Sequence, residues 1–399
     1  MKESAFKTAQ MKNRFARILK FPVTAVVYDL DGNVTKSDRH LTPEMMATIL
    51  EQRRLGIPLF FASARTYDPQ NEAGSLKKMG MKDALLDFNK YLDSKNIPPE
   101  ERYKILDQLY LAGESGLFLS NGYLREDEHF SSYDDWLFQK LKMKGETSSM
   151  KQREETLRSF LNLIQHTLIH GRAAKERTFT IYGDKDKLSA IRNIILSELK
   201  EAGLWDENEM RISIADMSVE VSFYNVTKGI TVDFLKEVAG VKDDEEGIIL
   251  TTGDNGHPFS VDHPMLSRRG GLSSDRYDPL DPHMVALSLI SGQAPGADSL
   301  FWAMKQFNYR SSTGDVIRLT FPSDNAMLGE FDEEDMSSAA PGGIDFSAKN
   351  VDLKEQGQTM NLNLSSLDFE DLPPDLIKEV DPLLFKISPL TNFSERLGL

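Results

Sequence analysis

Val23-Thr-Ala-Val-Val-Tyr-Asp-Leu-Asp-Gly-Asn-Val-Thr35 is an apolar run that stops abruptly at two aspartates separated by a single residue. From Phe21 to Tyr28 its β-branched residues, without polar interruption, predict a fully buried parallel strand. Such a strand delivers Asp29 and Asp31 to its C-terminal edge, where an open α/β sheet holds its ligands.

The flanking sequence repeats this pattern. In Leu41-Thr-Pro-Glu44, Thr42 is placed to cap a helix and Pro43 to occupy its first position, with a stop near Gly56. Ile57-Pro-Leu-Phe-Phe-Ala62 is a second apolar run, ending on Ser63-Ala-Arg65. Strand, helix and strand with short connections make a right-handed parallel unit, so Ser63 is expected on the same edge as Asp29. The composition of Gly74–Gly113, rich in Lys, Leu and Asp, predicts helices interrupted at Ile97-Pro-Pro99, followed by a third strand at Gly116–Ser120 and a turn at Asn121-Gly122.

A segment with its own pattern occupies 125–216. It predicts a helix over Thr147–His170, a strand at Arg177–Tyr182, a long amphipathic helix over Lys187–Ala202, and strands at Met210–Ile214 and Ser218–Phe223. That is a small α+β domain of about a hundred residues, within the usual size range. The larger pattern then resumes over 217–310. Lys228-Gly229 opens a helix, Gly247–Thr252 forms a buried strand ending on Gly253-Asp254, Asp262 follows eight residues later, and Gly270–Ser274 and Gly296–Phe307 supply a last strand and a closing helix. The core is thus expected in two parts, 21–124 and 217–310, after a basic amphipathic helix in 1–20. Residues 311–399 read as an acidic tail, partly ordered against the body, with 15 Asp/Glu against 5 Lys/Arg between Glu330 and Leu399.

The 399 residues fit two domains, and 40% hydrophobic content is enough for real cores. No apolar run approaches the roughly 20 residues that cross a bilayer, and the first 20 residues lack the apolar centre of a secretory signal. The expectation is a soluble, cytoplasmic protein. A formal charge of −15 argues against general affinity for nucleic acid or anionic membrane. The absence of cysteine excludes disulfides, thiolate metal sites and cysteine nucleophiles.

The strand and helix ends therefore offer Asp29, Asp31 and Asp254, with Asp262 nearby, together with a hydroxyl at Ser63 and an ammonium at Lys228. Oxygen-only ligands suit a hard cation such as Mg2+, which bridges to phosphate oxygens. With that charge and Lys228 to offset it, a carboxylate can attack phosphorus while a second moves protons. A small phosphorylated substrate fits this chemistry, which asks mainly for positioning and charge neutralisation.

Asp29-Leu-Asp-Gly-Asn-Val-Thr35 resembles the first motif of the haloacid dehalogenase superfamily, and Ala62-Ser-Ala-Arg65 resembles the second. Asn225-Val-Thr-Lys-Gly229 resembles the third motif of the branch that includes sugar-phosphate phosphatases, and Gly253-Asp-Asn-Gly256 resembles the fourth. The resemblance covers roughly Phe21 to Phe307. It implies a Rossmann-like core with a large inserted cap at 125–216, an aspartyl-phosphate intermediate and Mg2+. By the same resemblance Asp29 is nucleophile and metal ligand, and Asp31 is general acid/base that lends its backbone carbonyl to the metal. Asp254 is a further ligand, and Ser63 and Lys228 hold the phosphate. Two departures stand out. The second acid of the fourth motif is displaced to Asp262 by an inserted stretch, which makes it a candidate for an outer-shell role, and Asn33 stands where many relatives have Thr. Arg65, at the rim, is placed either to touch substrate or to pair with a carboxylate of the core.

Each motif alone has a plainer explanation. Asp-x-Asp-Gly after a strand is a common turn, Lys-Gly can simply begin a helix, and Ser63 can be a cap. Four motifs in the expected order, each at a strand or helix end, favour a site. His257 and His263 fit solvent-exposed or substrate-facing loop positions better than a hard-cation site. Tyr133, Trp136, Tyr182 and Trp205 fit packing within the small domain better than stacking on a sugar. Two other functions remain compatible with the sequence: a catalytically silent binding or scaffold protein, and a sugar phosphomutase.

Overall fold

The structure, a computed structural model, describes residues 2–35, 40–65, 81–121, 131–141, 148–175 and 177–319. The chain divides into a unit of residues 1–278 and 283–329 and a smaller one of 279–282 and 330–399. The elements below all belong to the first. The expected tail lies outside the described residues from 320 onward, as does Gly122 of the Asn121-Gly122 turn.

In chain order the strands are β1 (Val23–Asp29), β2 (Leu59–Ala62), β3 (Leu109–Gly113), β4 (Phe118–Asn121), β5 (Gly171–Ala174), β6 (Thr178–Tyr182), β7 (Arg211–Ile214), β8 (Ser218–Ser222), β9 (Ile248–Asn255), β10 (Gly271–Arg276), β11 (Val285–Ala286), β12 (Asn308–Arg310) and β13 (Val316–Arg318). The helices are α1 (Lys2–Ile18), α2 (Pro43–Arg54), α3 (Met81–Ser94), α4 (Pro99–Asp107), α5 (Ser131–Lys140), α6 (Ser148–Leu163), α7 (Leu188–Glu201), α8 (Ile230–Glu237), α9 (His263–Leu266) and α10 (Ala297–Met304). Among the described residues, no helix is long and apolar enough to cross a membrane.

The central sheet runs β11-β10-β9-β1-β2-β3-β4, with β12 also beside β1 and β13 beside β12, and its pairs are parallel except the antiparallel β3–β4 and β12–β13. β1 lies at its heart, and its side chains alternate between two hydrophobic cores. Val26 and Tyr28 join Phe15, Phe61, Leu250 and Phe307 on one face. Ala25 and Val27 join Phe60, Ile249 and Phe234 on the other. Burial on both faces is why β1 reads as a continuous apolar run. The Rossmann-like α/β core expected from the sequence is the fold observed.

α2 begins as its sequence predicts, with the Thr42 side chain accepting from Met45 N at 3.2 Å and Pro43 in the first turn. Elsewhere the local pattern misleads. Leu109-Tyr-Leu-Ala-Gly113 is a parallel strand rather than the end of a helical stretch, because a short apolar run beside a helix has no period of its own. The helix expected up to His170 ends at Leu163, and Gly171–Ala174 forms an edge strand instead.

A second sheet of order β5-β6-β8-β7, antiparallel throughout, lies between residues 171 and 222. One set of its alternating side chains, Phe179, Ile181, Val219 and Val221, clusters with Ile191 and Ile195 of α7. The other set, including Thr178, Thr180, Glu220 and Ser222, is polar and yet buried. The rings of Tyr133 and Trp136 of α5 lie 5.1 and 5.3 Å from that of Phe234 in α8.

Candidate active site

Asp29 is the last residue of β1 and is 2% exposed. The chain then winds through a single wide turn, closed where Thr35 N donates to Leu30 O at 3.1 Å. Inside it Gly32 adopts φ +70°, and a Cβ there would lie 2.5 Å from Asp254 Oδ2. Glycine is therefore required twice over, by conformation and by space. Asn33 pins the turn to β9, since its Nδ2 donates to Asp29 O at 3.1 Å and to Thr252 Oγ1 at 2.7 Å.

Lys228 stands just before α8, and its ammonium is as buried as Asp29. Nζ lies 2.5 Å from Asp29 Oδ1 and 2.6 Å from Asp262 Oδ1. Asp262 precedes α9 and accepts through Oδ2 from Asn255 N at 3.3 Å. Asp29, Asp254 and Asp262 each bring a carboxylate oxygen within 4.8 Å of the others. The structure thus sets Asp262, expected outside the inner group, directly against Lys228.

Burial, reinforced by the Asp262 carboxylate, pushes the Asp29 carboxyl well above its ordinary range despite the pull of Lys228. Asp254 is pushed up to about 8, again by burial first and Asp262 second. Burial alone would lower Lys228, but Asp262 and then Asp29 hold it above the usual lysine value. Three carboxylates share one ammonium, so the fully ionised cluster carries two negative charges in excess. An all-oxygen donor set short of positive charge fits a hard divalent cation.

Ser63 follows β2 and is wholly buried. Its amide donates to Ala112 O at 2.9 Å, and its Oγ accepts from Arg65 N at 3.0 Å. The Arg65 guanidinium forks onto Asp31, with Nε 2.9 Å from Oδ2 and Nη2 on Oδ1. Of the two roles open to Arg65, the carboxylate pair is the one formed. The Asp31 carboxylate, 48% exposed, therefore stands apart from the three-acid cluster. His263 contacts Asp278 at 3.2 Å and His257 its own neighbour Pro258 O at 2.7 Å, so neither joins the cluster.

The inserted stretch after Asp254 is ordered by the small sheet. Ile214 N donates to Phe259 O at 2.8 Å, and Val261 N donates back to Ile214 O at 3.0 Å. A small recess is lined by Ser115, whose amide donates to Ser63 O at 2.8 Å, and by Thr178, Arg211, Glu220 and Thr227, among others. Thr227 apart, none of these carries a motif, because the recess arises where the polar face of one sheet meets the loops of another. Alternation of polar residues along β6 and β8 was the signal available.

The family model for haloacid dehalogenase-like hydrolases matches residues 26–270. A search of curated proteins finds no match. Among solved structures, this chain is similar to an N-terminally truncated, IMP-bound IMP-nucleotidase of Plasmodium falciparum, at 12% identity and TM-score 0.46 over 63% of this chain and 64% of that one. It is also similar to the sucrose-phosphatase of a Synechocystis species, at 12% identity and TM-score 0.36 over 58% and 76% of the two chains. A third similar structure is a haloacid dehalogenase-like hydrolase from Bacteroides thetaiotaomicron, at 17% identity and TM-score 0.33 over 63% and 88%. The chain spans just under two thirds of the length of the nucleotidase.

Proposed function

We propose, from the premise that this chain belongs to the haloacid dehalogenase-like hydrolases, that it is a magnesium-dependent phosphatase of a small phosphorylated metabolite, with a sugar phosphate as the expected class. The observation that carries the reading is the buried contact of Lys228 with both Asp29 and Asp262, with Asp254 close by. With a divalent cation bound to offset its excess negative charge, a cluster of this kind at the end of β1 would let a phosphoryl group meet an anionic nucleophile.

In the proposed reaction Asp29 attacks phosphorus. An oxygen–phosphorus bond forms to its carboxylate as the ester oxygen–phosphorus bond breaks, and Asp31 gives the departing oxygen a proton. Asp31, now ionised, takes a proton from water, and the resulting hydroxide displaces Asp29 and releases phosphate. Lys228 offsets charge on the nucleophile and phosphate, and Ser63 Oγ donates to a phosphate oxygen. Arg65 holds the Asp31 carboxylate in place. Asp29 and Asp254, with the main-chain oxygen of Asp31, would hold Mg2+, and Asp262 orients the group through Lys228. When bound, that ion supplies positive charge to nucleophile and phosphate together. Residues 125–216 act as a cap that excludes water and selects substrate.

The test is phosphate release from a panel of sugar phosphates, with and without Mg2+, by the full chain and by Asp29→Asn. Metal-dependent release that disappears in the variant is expected. Release surviving Asp29→Asn removes the nucleophile assignment. No release from any substrate favours a binding or scaffold role, and transfer to a sugar hydroxyl in preference to water makes the protein a mutase.

A further inference from the structure

The turn Ser63-Ala64-Arg65 is held from outside at every one of its main-chain oxygens. Ser115 N donates to Ser63 O at 2.8 Å, Glu114 N donates to Arg65 O at 2.9 Å, and Lys175 Nζ donates to Ala64 O at 2.7 Å. The first two donors lie in an unusual stretch of chain. Glu114 and Ser115 take φ +47° and +62°, a left-handed conformation that strains residues other than glycine and persists only where the surroundings fix it. Here Glu114, 1% exposed, is fixed by the small sheet, since its Oε2 accepts from Arg177 N at 2.8 Å and from Thr178 Oγ1 at 3.0 Å.

The third donor comes from the small sheet directly. Lys175 follows β5, and its ammonium also lies 3.0 Å from Glu220 Oε2 in β8. The two side chains are 13% and 7% exposed. An ion pair so buried adds little net stability, because desolvating both charges offsets their attraction. A neutral donor would satisfy Ala64 O without burying a charge. What the pair supplies instead is a donor of fixed position and a charge-assisted bond, about twice as strong as a neutral one.

What the turn carries makes that position matter. Arg65 forks onto Asp31 through Nε, at 2.9 Å, and Nη2, and among the described residues it is the only side chain on that carboxylate. A shift of Ala64 passes to Arg65 through the one peptide between them, and from there to Asp31. We infer that Lys175, seated by Glu220, is a positioning residue for the proton carrier: through Ala64 O it sets where Arg65 holds Asp31. This deepens the phosphatase reading and rests on it. The small sheet thereby acts on proton delivery to the leaving oxygen, although none of its side chains touches Asp31.

The experiment compares kcat/KM, with Mg2+ present, for phenyl phosphate and p-nitrophenyl phosphate, two esters of similar shape. Phenolate needs a proton as it departs, whereas nitrophenolate, a much weaker base, leaves without one. The unsubstituted chain is measured beside Lys175→Gln/Glu220→Gln, which removes both charges together and leaves no buried carboxylate unpaired. The double variant is expected to lose at least about tenfold more kcat/KM on phenyl phosphate than on p-nitrophenyl phosphate, within the range that general acid catalysis supplies. Because the two esters are compared within one sample, a smaller folded fraction cancels. Lys175→Arg, which keeps the charge but moves the donor, should show a smaller change of the same sign. Equal loss on both esters, or no loss, makes Lys175 a structural group only and overturns the inference while leaving the phosphatase reading standing. If the double variant does not fold, an unchanged ratio in Lys175→Arg overturns it in the same way. No turnover of either ester by the unsubstituted chain overturns the inference, and together with a silent sugar-phosphate panel it overturns the phosphatase reading too.

Discussion

The ammonium of Lys228 lies 2.5 Å from Asp29 Oδ1, joining two buried residues 199 positions apart in the chain. Removing the cation leaves Asp29 and Asp262 as buried carboxylates without their partner. Lys228→Met is therefore expected to cost about 3–5 kcal/mol in chemical denaturation and to abolish phosphate release. Asp29→Asn, which removes one of the excess charges, should lower activity at least about a thousandfold with a far smaller loss of stability. Equal destabilisation by the two would show that Lys228 is not the charge that holds the cluster.

Metal-free stability should depend on pH through Asp254. Its carboxyl is raised to about 8, mainly by burial and then by Asp262, so between about pH 4 and 8 the folded state binds more protons than the unfolded state. Stability is then fully present near the ordinary carboxylate range and falls as pH rises toward 8. Melting of EDTA-treated protein should show this decline, and millimolar Mg2+ should raise Tm more at pH 8 than at pH 5.5. A flat profile, or a magnesium effect independent of pH, would argue against the cluster as the cation site.

Gly32→Ala tests the turn after β1. The substitution forces a Cβ onto a backbone at φ +70° and to 2.5 Å from Asp254 Oδ2. A loss of about 1–3 kcal/mol is expected, together with a fall in magnesium affinity measured by calorimetry, because Asp254 must move.

Arg65→Gln separates orientation from stability. Asp31 is about half exposed, so losing its partner leaves a solvated carboxylate and changes stability by less than about 1 kcal/mol. If Arg65 holds the proton carrier in place, kcat falls roughly tenfold or more with little change in KM. A change confined to KM would make Arg65 a substrate contact instead.

What the sequence makes legible is local. Asp29 stands where an apolar run breaks off, and Thr42, Ser63, Lys228 and Asp254 mark similar ends, so each is placed by its neighbours alone. Asp262 is different: its seat against Lys228 follows from the path of the loop after β9, and that loop pairs with Ile214 of β7. The Asp31–Arg65 fork likewise joins two turns 34 residues apart. β3 was hidden because five apolar residues after a helix carry no period. The Tyr133 and Trp136 contacts with Phe234 cross from α5 to α8, and no spacing rule links them.

The two main-chain hydrogen bonds between Ile214 and the Phe259–Val261 stretch lie three residues and one residue from Asp262. Any displacement of the small sheet that opens this pairing pulls directly on the strand of chain that aims that carboxylate. Loop length and the edge of β7 therefore form one mechanical part, and neither can be lengthened or shortened without retuning the other. The insertion that displaces the second acid in the sequence is also the tow line by which a distant sheet keeps it on station.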